Sequence, residues 1–378
     1  MSSGPATIAD MTDGADQNAQ AQVVDLFAGP GGLDVGASWL GFSVVGIEID
    51  PNACATRAAA GLATVRGDVR RFGPEDFPGA TMLTGGPPCQ TFTLAGAGSG
   101  RKALETVLSL VEDMALGRDI GPRLAELEDE RTGLVLQPLR WALDAIARKS
   151  PYEVVVLEQV PSVLPVWEAI GEVLAQHGYD VDHGILRTEQ YGVPQTRRRA
   201  ILVARYQDGV KLPTPTHEKY RKGGPRQGTI GSLPWVSMGE VIDRGREFTV
   251  ISNYGSGGDP KNRGRRTSQE PSATVTGKVT RNRLRYDDGG WDRLTLAEAG
   301  HLQTFPLDFP WSGSDIGQQI GNAIPPRLAV HVLAAAARLK VSGQALDAVV
   351  RTPWSQSRHG MDRAAPRQPS APLAGSTT

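Results

Sequence analysis

Between Gln22 and Gly32 the chain reads QVVDLFAGPGG. A short apolar run, Gln22 to Phe27, leads into a glycine turn, Ala28 to Gly32, and a helical pattern then runs to about Leu40. Strand, glycine turn and helix in that order open a unit that cradles a nucleotide or phosphate, because missing Cβ atoms let a ligand approach the backbone and the helix N-terminus. The turn reads Gly29-Pro30-Gly31-Gly32 and no GxGxxG is present, which weighs against a dinucleotide.

Moving outward, Ser43 to Ile47 is a second strand that ends in Glu48, Ile49 and Asp50, and Pro51 starts the next helix. An acid about 20 residues past the glycine turn is placed to grip ribose hydroxyls. A third strand, Ala63 to Val65, is followed by Gly67 and Asp68. Tyr152 to Leu157 is a continuous apolar run of the kind found in central parallel strands, and it ends in Glu158 and Gln159. Tyr179 to Leu186 and Ala200 to Ala204 form a strand pair joined by Tyr191 to Arg199, YGVPQTRRR, where strand spacing puts Gln195, Arg197 and Arg199 on one face. These elements predict an α/β, Rossmann-like fold with a mixed, mainly parallel sheet and a small irregular β-rich unit.

A second stretch is aimed at the same crevice. Thr84 to Thr91 reads TGGPPCQT after apolar Met82 and Leu83, so a buried strand ends in a stiff turn that presents Cys89. A free cysteine is most often a small buried hydrophobe, but at the carboxyl end of a strand, facing Glu158, it is also a candidate nucleophile. The following TFTLAGAGSG, Thr91 to Gly100, has three glycines and little to pack, as a loop that closes over substrate would.

Composition bounds the rest. The chain has 378 residues, 39% hydrophobic and 21% charged, enough for a sizeable core. Two cysteines, Cys54 and Cys89, exclude a disulfide framework and a thiolate zinc site and suit a reducing cytosol; no metal is expected. No run of about 18 apolar residues predicts a membrane span, and the first 20 residues lack a signal-peptide pattern. The net charge of −1 does not announce a nucleic-acid binder, yet Lys and Arg outnumber acids between Arg187 and Arg226 and between Lys261 and Arg293. Phe248 to Ser252 and Ala273 to Thr276 read as short β pieces, Arg293 to Gln303 as a helix with a Thr295/Glu298 capping box, and the residues after GNAIPP, Gly321 to Pro326, as an alanine-rich helix.

The order of these motifs resembles the cytosine-C5 DNA methyltransferases: DLFAGPGG, GIEID, GDV, GGPPCQ, the acidic strand end, QTRRR, RLTLAEAGHLQTFP and GNAIPP follow one another over about residues 22 to 340. The resemblance implies S-adenosyl-L-methionine as cofactor, with S-adenosyl-L-homocysteine as product, held by Phe27, Ala28, Gly29, Gly31, Glu48, Ile49, Asp68, Val69, Pro87, Asn322 and Ala323. It implies Cys89 as the nucleophile that attacks C6 of a flipped cytosine, Glu158 at the base's N3 edge, and Arg197 and Arg199 in the catalytic group. Pro88, Gln90 and Gln195 would support the loop. It further implies double-stranded DNA as substrate, action as a monomer, and a place in the bacterial cytoplasm or a phage-infected cell; restriction partner with a cognate endonuclease, orphan enzyme and phage self-protection share these motifs. An RNA methyltransferase of the same fold would carry Cys-Phe-Thr, which follows neither cysteine here. One residue departs from the family pattern: Gln159 stands where Glu-Asn-Val is usual.

The expected organisation is a disordered tail over 1–20, a catalytic and cofactor-binding unit over 21–205 carrying an inserted surface helix at about 102–130, a target-recognition unit over 206–291, a return to the catalytic unit over 292–345 and a flexible tail over 346–378.

Overall fold

The computed structural model describes residues 22–88, 98–127, 129–252 and 264–361. Seven strands form the main sheet: β1 (Gln22–Leu26), β2 (Ser43–Glu48), β3 (Thr64–Arg66), β4 (Ala80–Gly85), β5 (Val154–Gln159), β6 (Tyr179–Arg187) and β7 (Arg198–Tyr206). Their order is β3-β2-β1-β4-β5-β7-β6. The first five run parallel, whereas β7 pairs antiparallel with both β5 and β6. The mixed, mainly parallel sheet expected from the sequence is therefore present, with β4 in the middle and β5 interior, between parallel β4 and antiparallel β7.

Helices cover both faces: α1 (Gly32–Trp39), α2 (Pro51–Ala60), α3 (Gly98–Ala115), α4 (Gly121–Ala125), α5 (Gln137–Ala147), α6 (Leu164–Gln176), α7 (Leu296–Leu302), α8 (Ile316–Asn322), α9 (Pro326–Ala337), α10 (Gly343–Arg351) and α11 (Trp354–Met361). The period-2 alternation of the strands divides the core in two. Val23, Met82, Val154, Val156, Ile201 and Val203 pack with Leu33 and Val35 of α1 and with Leu328 and Val332 of α9. Val24, Leu26, Leu83, Val155, Leu157 and Leu202 pack against α3, α5 and α6.

Two expectations fail here. The stretch read as an inserted surface helix, about 102–130, holds most of α3 and all of α4; α4 buries no residue, but α3 buries Val107, Leu110 and Val111 in the second core cluster, so the surface reading fails for α3. Its apolar residues recur at helical spacing because that face packs against the body of the fold. The C-terminal stretch read as a tail is ordered through α10 and α11. Leu346, Val350 and Trp354 are buried, the Trp354 indole N–H donates to the Ala60 carbonyl at 3.2 Å, and the Asp308 carboxylate accepts from the Trp354 N–H at 2.6 Å. Polar, Gly/Ser/Gln-containing surroundings hid an apolar residue at every fourth position.

A smaller antiparallel sheet, ordered β11-β10-β8-β9, comprises β8 (Phe248–Ile251), β9 (Arg265–Thr267), β10 (Arg283–Tyr286) and β11 (Trp291–Asp292). Its inner face, Phe248, Val250, Leu284 and Tyr286, packs with Met238, Val275, Leu302 of α7 and Ile320 of α8. Ala273 to Thr276 forms no strand; a single bridge joins the adjacent Ser272 to Gln195. Among the described residues, no helix is long and apolar enough to cross a membrane.

Candidate active site

The turn after β1 is held open by residues in left-handed backbone: Phe27 at φ 60°, Gly29 at 55° and Gly31 at 101°. A Cβ on Gly32 would overlap the Ile324 carbonyl oxygen, so this glycine lets the segment between α8 and α9 close against α1. The far end of the chain, Asn322 and Ala323, thus returns to the first turn. Glu48 leans across it. Its Oε2 accepts from Gly29 N–H, and its Oε1 from Ile49 N–H and Asp50 N–H, all at 2.7 Å. A carboxylate has about four lone-pair sites, and Oε2 uses one of its own, so a hydroxyl donor can still be accepted there. Beside it Ile49 is 60% exposed, a large apolar side chain left uncovered at the edge of the turn. Asp68, at the end of β3, is bound by the Arg70 side chain at 2.6 Å and caps Val69–Arg71; those Arg70 hydrogen bonds hold its carboxyl below the usual range.

Under the turn lies a buried charge cluster. Arg57 and Asp34 form a fully buried pair at 2.6 Å. Asp25 accepts a hydrogen bond from the Thr84 hydroxyl at 2.7 Å; burial, with the nearby Asp34 charge, pushes its carboxyl up to about 8, against the pull of Thr84 and Arg57.

At the carboxyl ends of β4 and β5 the second group assembles. Glu158 is buried and paired with Arg199 Nε at 2.5 Å. Burial raises its carboxyl above the ordinary value, and Arg199 pulls the other way. Glu158 stands against the turn after β4, where a Cβ on Gly86 would sit 3.5 Å from Oε2. Its neighbour Gln159 donates from Nε2 to the Pro87 carbonyl at 2.6 Å and accepts at Oε1 from Val160 N–H at 2.6 Å. The longer amide therefore spans from strand end to proline turn. Pro88 continues that turn; Cys89 and Gln90 lie outside the described residues, as do Thr91 to Ala97 of the glycine-rich stretch, while Gly98 to Gly100 begin α3.

The three polar side chains expected on one face point to different partners. Gln195, wholly buried, donates to Gln303 Oε1 at 2.8 Å and accepts from Val275 N–H at 2.8 Å. Arg197, 1% exposed, donates to the carbonyls of Val275 at 2.9 Å, Gly321 at 2.7 Å and Ala323 at 3.3 Å. Only Arg199 reaches Glu158. Gln195 and Arg197 thus tie β7 to the small sheet's support and to the GNAIPP segment. Gln303, which donates to Ile320 O at 2.6 Å, belongs to the same junction and was passed over in the sequence, where it reads as the end of a helix. Among the described residues no cluster of three or more His, Cys, Asp or Glu could hold a metal.

With this geometry in place, likeness to known proteins decides the family. The profile of the family "C-5 cytosine-specific DNA methylase" matches residues 21–112 and 126–338. The chain belongs to that family. The break in the match falls after Glu112, so most of α3 lies within the shared fold. Type II methyltransferase M.AplI of Arthrospira platensis is 30% identical over 339 residues, covering 83% of this chain and 85% of the relative. Type II methyltransferase M1.HphI of Haemophilus parahaemolyticus is 26% identical over 362 residues, covering 84% and 87%. In fold, the chain is similar to the S. pombe Dnmt2 methyltransferase, with a TM-score of 0.59 at 17% identity over 84% of this chain and 98% of that one. The enzyme is thus a DNA cytosine-C5 methyltransferase.

Proposed function

We propose that Cys89 is the nucleophile of this methyltransferase, that Glu158 and Arg199 hold the target cytosine, and that S-adenosyl-L-methionine binds over the first turn. The observation that carries this is the strand-end group: a buried carboxyl paired with Arg199, lying against Gly86 while Gln159 fastens the carbonyl of Pro87, two residues before Cys89.

The thiolate of Cys89 adds to C6, and the electron pair of the C5–C6 bond moves into the ring. Glu158, raised by burial and thus able to carry a proton, donates to N3, so charge does not build on carbon. Arg199 orients that carboxyl. The cofactor supplies an electrophilic methyl group at the nucleophilic C5. Loss of the C5 proton to a base, expulsion of the Cys89 thiolate and return of the N3 proton to the Glu158 carboxylate then restore the aromatic ring, leaving neutral 5-methylcytosine and S-adenosyl-L-homocysteine. Because the target atom is stacked inside a duplex, the base must leave the helix to reach Cys89.

The cradle fits the cofactor: Phe27, Ala28, Gly29 and Gly31 offer an open turn, Glu48 keeps acceptor capacity for a ribose hydroxyl, exposed Ile49 offers adenine an apolar surface, and Asp68 and Val69 border it. Pro87, Asn322 and Ala323 would close the opposite side. Gln195 and Arg197 act as positioning residues, with Pro88 and Gln90 framing the nucleophile. The unit over 206–291 serves in target recognition, on double-stranded DNA and as a monomer, since one chain holds every residue invoked. The relatives are named Type II methyltransferases, which supports reading this enzyme as a DNA-modification enzyme; a cognate restriction endonuclease as partner and the bacterial cytoplasm as its place are part of the proposal.

Base-resolution sequencing of 5-methylcytosine in DNA from a methylation-free host expressing the chain tests this reading. The wild type should modify one short sequence, and Cys89→Ser should leave DNA unmodified while still binding S-adenosyl-L-methionine. Methylation by Cys89→Ser at the wild-type rate would overturn the assignment.

A further inference from the structure

The small sheet has two faces with opposite treatment of arginine. On its inner side and edges the guanidinium groups are engaged. Arg266 stacks over the Tyr220 ring at 4.3 Å and pairs with Glu270 at 3.6 Å. Arg246 stacks over Tyr286 at 3.6 Å and pairs with Asp288, and Arg244 binds Asp292 at 2.6 Å and Glu298 at 2.5 Å.

The outer face is different. Strand register puts Arg265, Ile251 and Arg283 in one row across β9, β8 and β10, and Thr267, Thr249, Arg285 and Trp291 in the next row across all four strands. All three arginines are exposed, and none has a hydrogen-bond or ion-pair partner among the described residues. Trp291 is 55% exposed, and the Arg283 guanidinium lies 5.9 Å from its ring centroid. No acid stands in either row. The acids around the sheet are turned elsewhere: Asp288 to Arg246, Asp292 to Arg244, Glu270 to Tyr220 and Arg266, and Glu247 to Gln269; Asp287 sits in the turn between β10 and β11. Three like charges stand within two strand rows, two of them about 7 Å apart along β10; they repel one another, and beyond the Arg283–Trp291 contact they gain no partner from the described residues. A face of this kind is complementary to a polyanion with repeating charge.

We propose that the outer face of this sheet, through Arg265, Arg283 and Arg285, binds the phosphate backbone of the DNA duplex. It positions the duplex and reads no base: the guanidiniums stand on a regular sheet with no fixed acceptor to orient them, which suits charge neutralisation rather than bidentate base contact. The inference rests on DNA being the substrate and adds the surface that holds it.

The test compares the wild type with the triple variant Arg265→Gln, Arg283→Gln, Arg285→Gln by fluorescence anisotropy, between 50 and 200 mM salt. The probes are a short random-sequence duplex and a fragment that the wild type methylates. Each lost phosphate contact should lower the slope of log K against log salt by about 0.9, so the affinity gap between the two proteins should narrow roughly 40-fold over that range. Both probes should lose affinity equally, S-adenosyl-L-methionine binding should not change, and the triple Lys variant should restore the slope. An unchanged slope in a protein whose wild type methylates DNA would overturn this surface alone, as would a loss confined to the methylated fragment, which would mean base reading. A wild type that methylates no DNA would overturn the functional reading as well.

Discussion

Arg197 and Arg285 are separated by fewer than a hundred residues and by opposite physical circumstances. Arg197 is buried and gives its planar fork to three carbonyls from the small unit and the C-terminal segment, whereas Arg285 stands in solvent with no partner among the described residues. Arg57, buried against Asp34, belongs with the first, and Arg265 and Arg283 with the second. Burying a guanidinium is costly unless its donors find acceptors; the fold supplies them to both terminal nitrogens of Arg197, though not to its buried Nε, and to every nitrogen of Arg57. The second group costs the fold little and waits for an external anion. Partner geometry, not charge, separates an arginine that builds the enzyme from one that holds its substrate.

The same conservative substitution should therefore have opposite consequences in the two groups. Lysine keeps the charge but loses the fork. Arg197→Lys cannot span the Val275, Gly321 and Ala323 carbonyls, and should cost about 3 kcal/mol or more of unfolding free energy, measured by urea denaturation. Because Arg197 leads directly into β7, which carries Arg199, and two of those carbonyls lie in the segment that closes on the first turn, methyl transfer should fall with it. Wild-type stability in Arg197→Lys would break the comparison at its strongest point.

Arg199 lies between the two cases, since its partner, Glu158, is also proposed to touch the substrate. Burial raises the Glu158 carboxyl and Arg199 restrains the rise. Removing the restraint in Arg199→Met should raise it further. A raised folded value means that the unfolded carboxyl ionises first, so this group's contribution to stability is present at low pH and is lost as pH rises through the folded value. The catalytic sign is the same: if protonated Glu158 donates to N3, the alkaline limb of single-turnover methyl transfer moves to higher pH in Arg199→Met, and by less in Arg199→Lys. Superimposable pH profiles would separate Arg199 from the ionisation of Glu158.

The sequence disclosed what is local. QVVDLFAGPGG showed its strand, turn and helix because glycine and apolar runs act within a few residues, and Glu48, Asp68 and Glu158 followed as acids at strand ends. The partners of Gln195 and Arg197 were not visible, since Val275, Gly321 and Gln303 lie 78 to 124 positions away and contribute mostly backbone atoms, which carry no residue signature. Strand spacing put Gln195 with Arg199, but Gln195 precedes the strand, and its amide turns toward α7. The ordered C-terminus was missed for a different reason. Leu346, Val350 and Trp354 carry helical spacing, yet only the presence of Ala60 and Asp308 beside them makes that stripe a buried one. The Gln159 departure was readable as a departure; that its longer amide reaches Pro87 needed the turn's position.

The smallest effect belongs to Arg285→Lys, and its smallness is what sharpens the comparison. An exposed side chain with no partner among the described residues contributes little to folding, so urea stability should stay within about 0.5 kcal/mol of wild type. A phosphate responds to charge more than to the shape of the donor, so the salt slope of DNA binding should also be kept, whereas Arg285→Gln should lose about 0.9 of a unit. Lysine would thus substitute freely at a position that holds DNA and fail at one that holds the fold, with identical charge in both. If instead Arg285→Lys lost as much binding as Arg285→Gln, the guanidinium would be making a bidentate contact, and the outer face would have to be read as selecting a base rather than steadying a backbone.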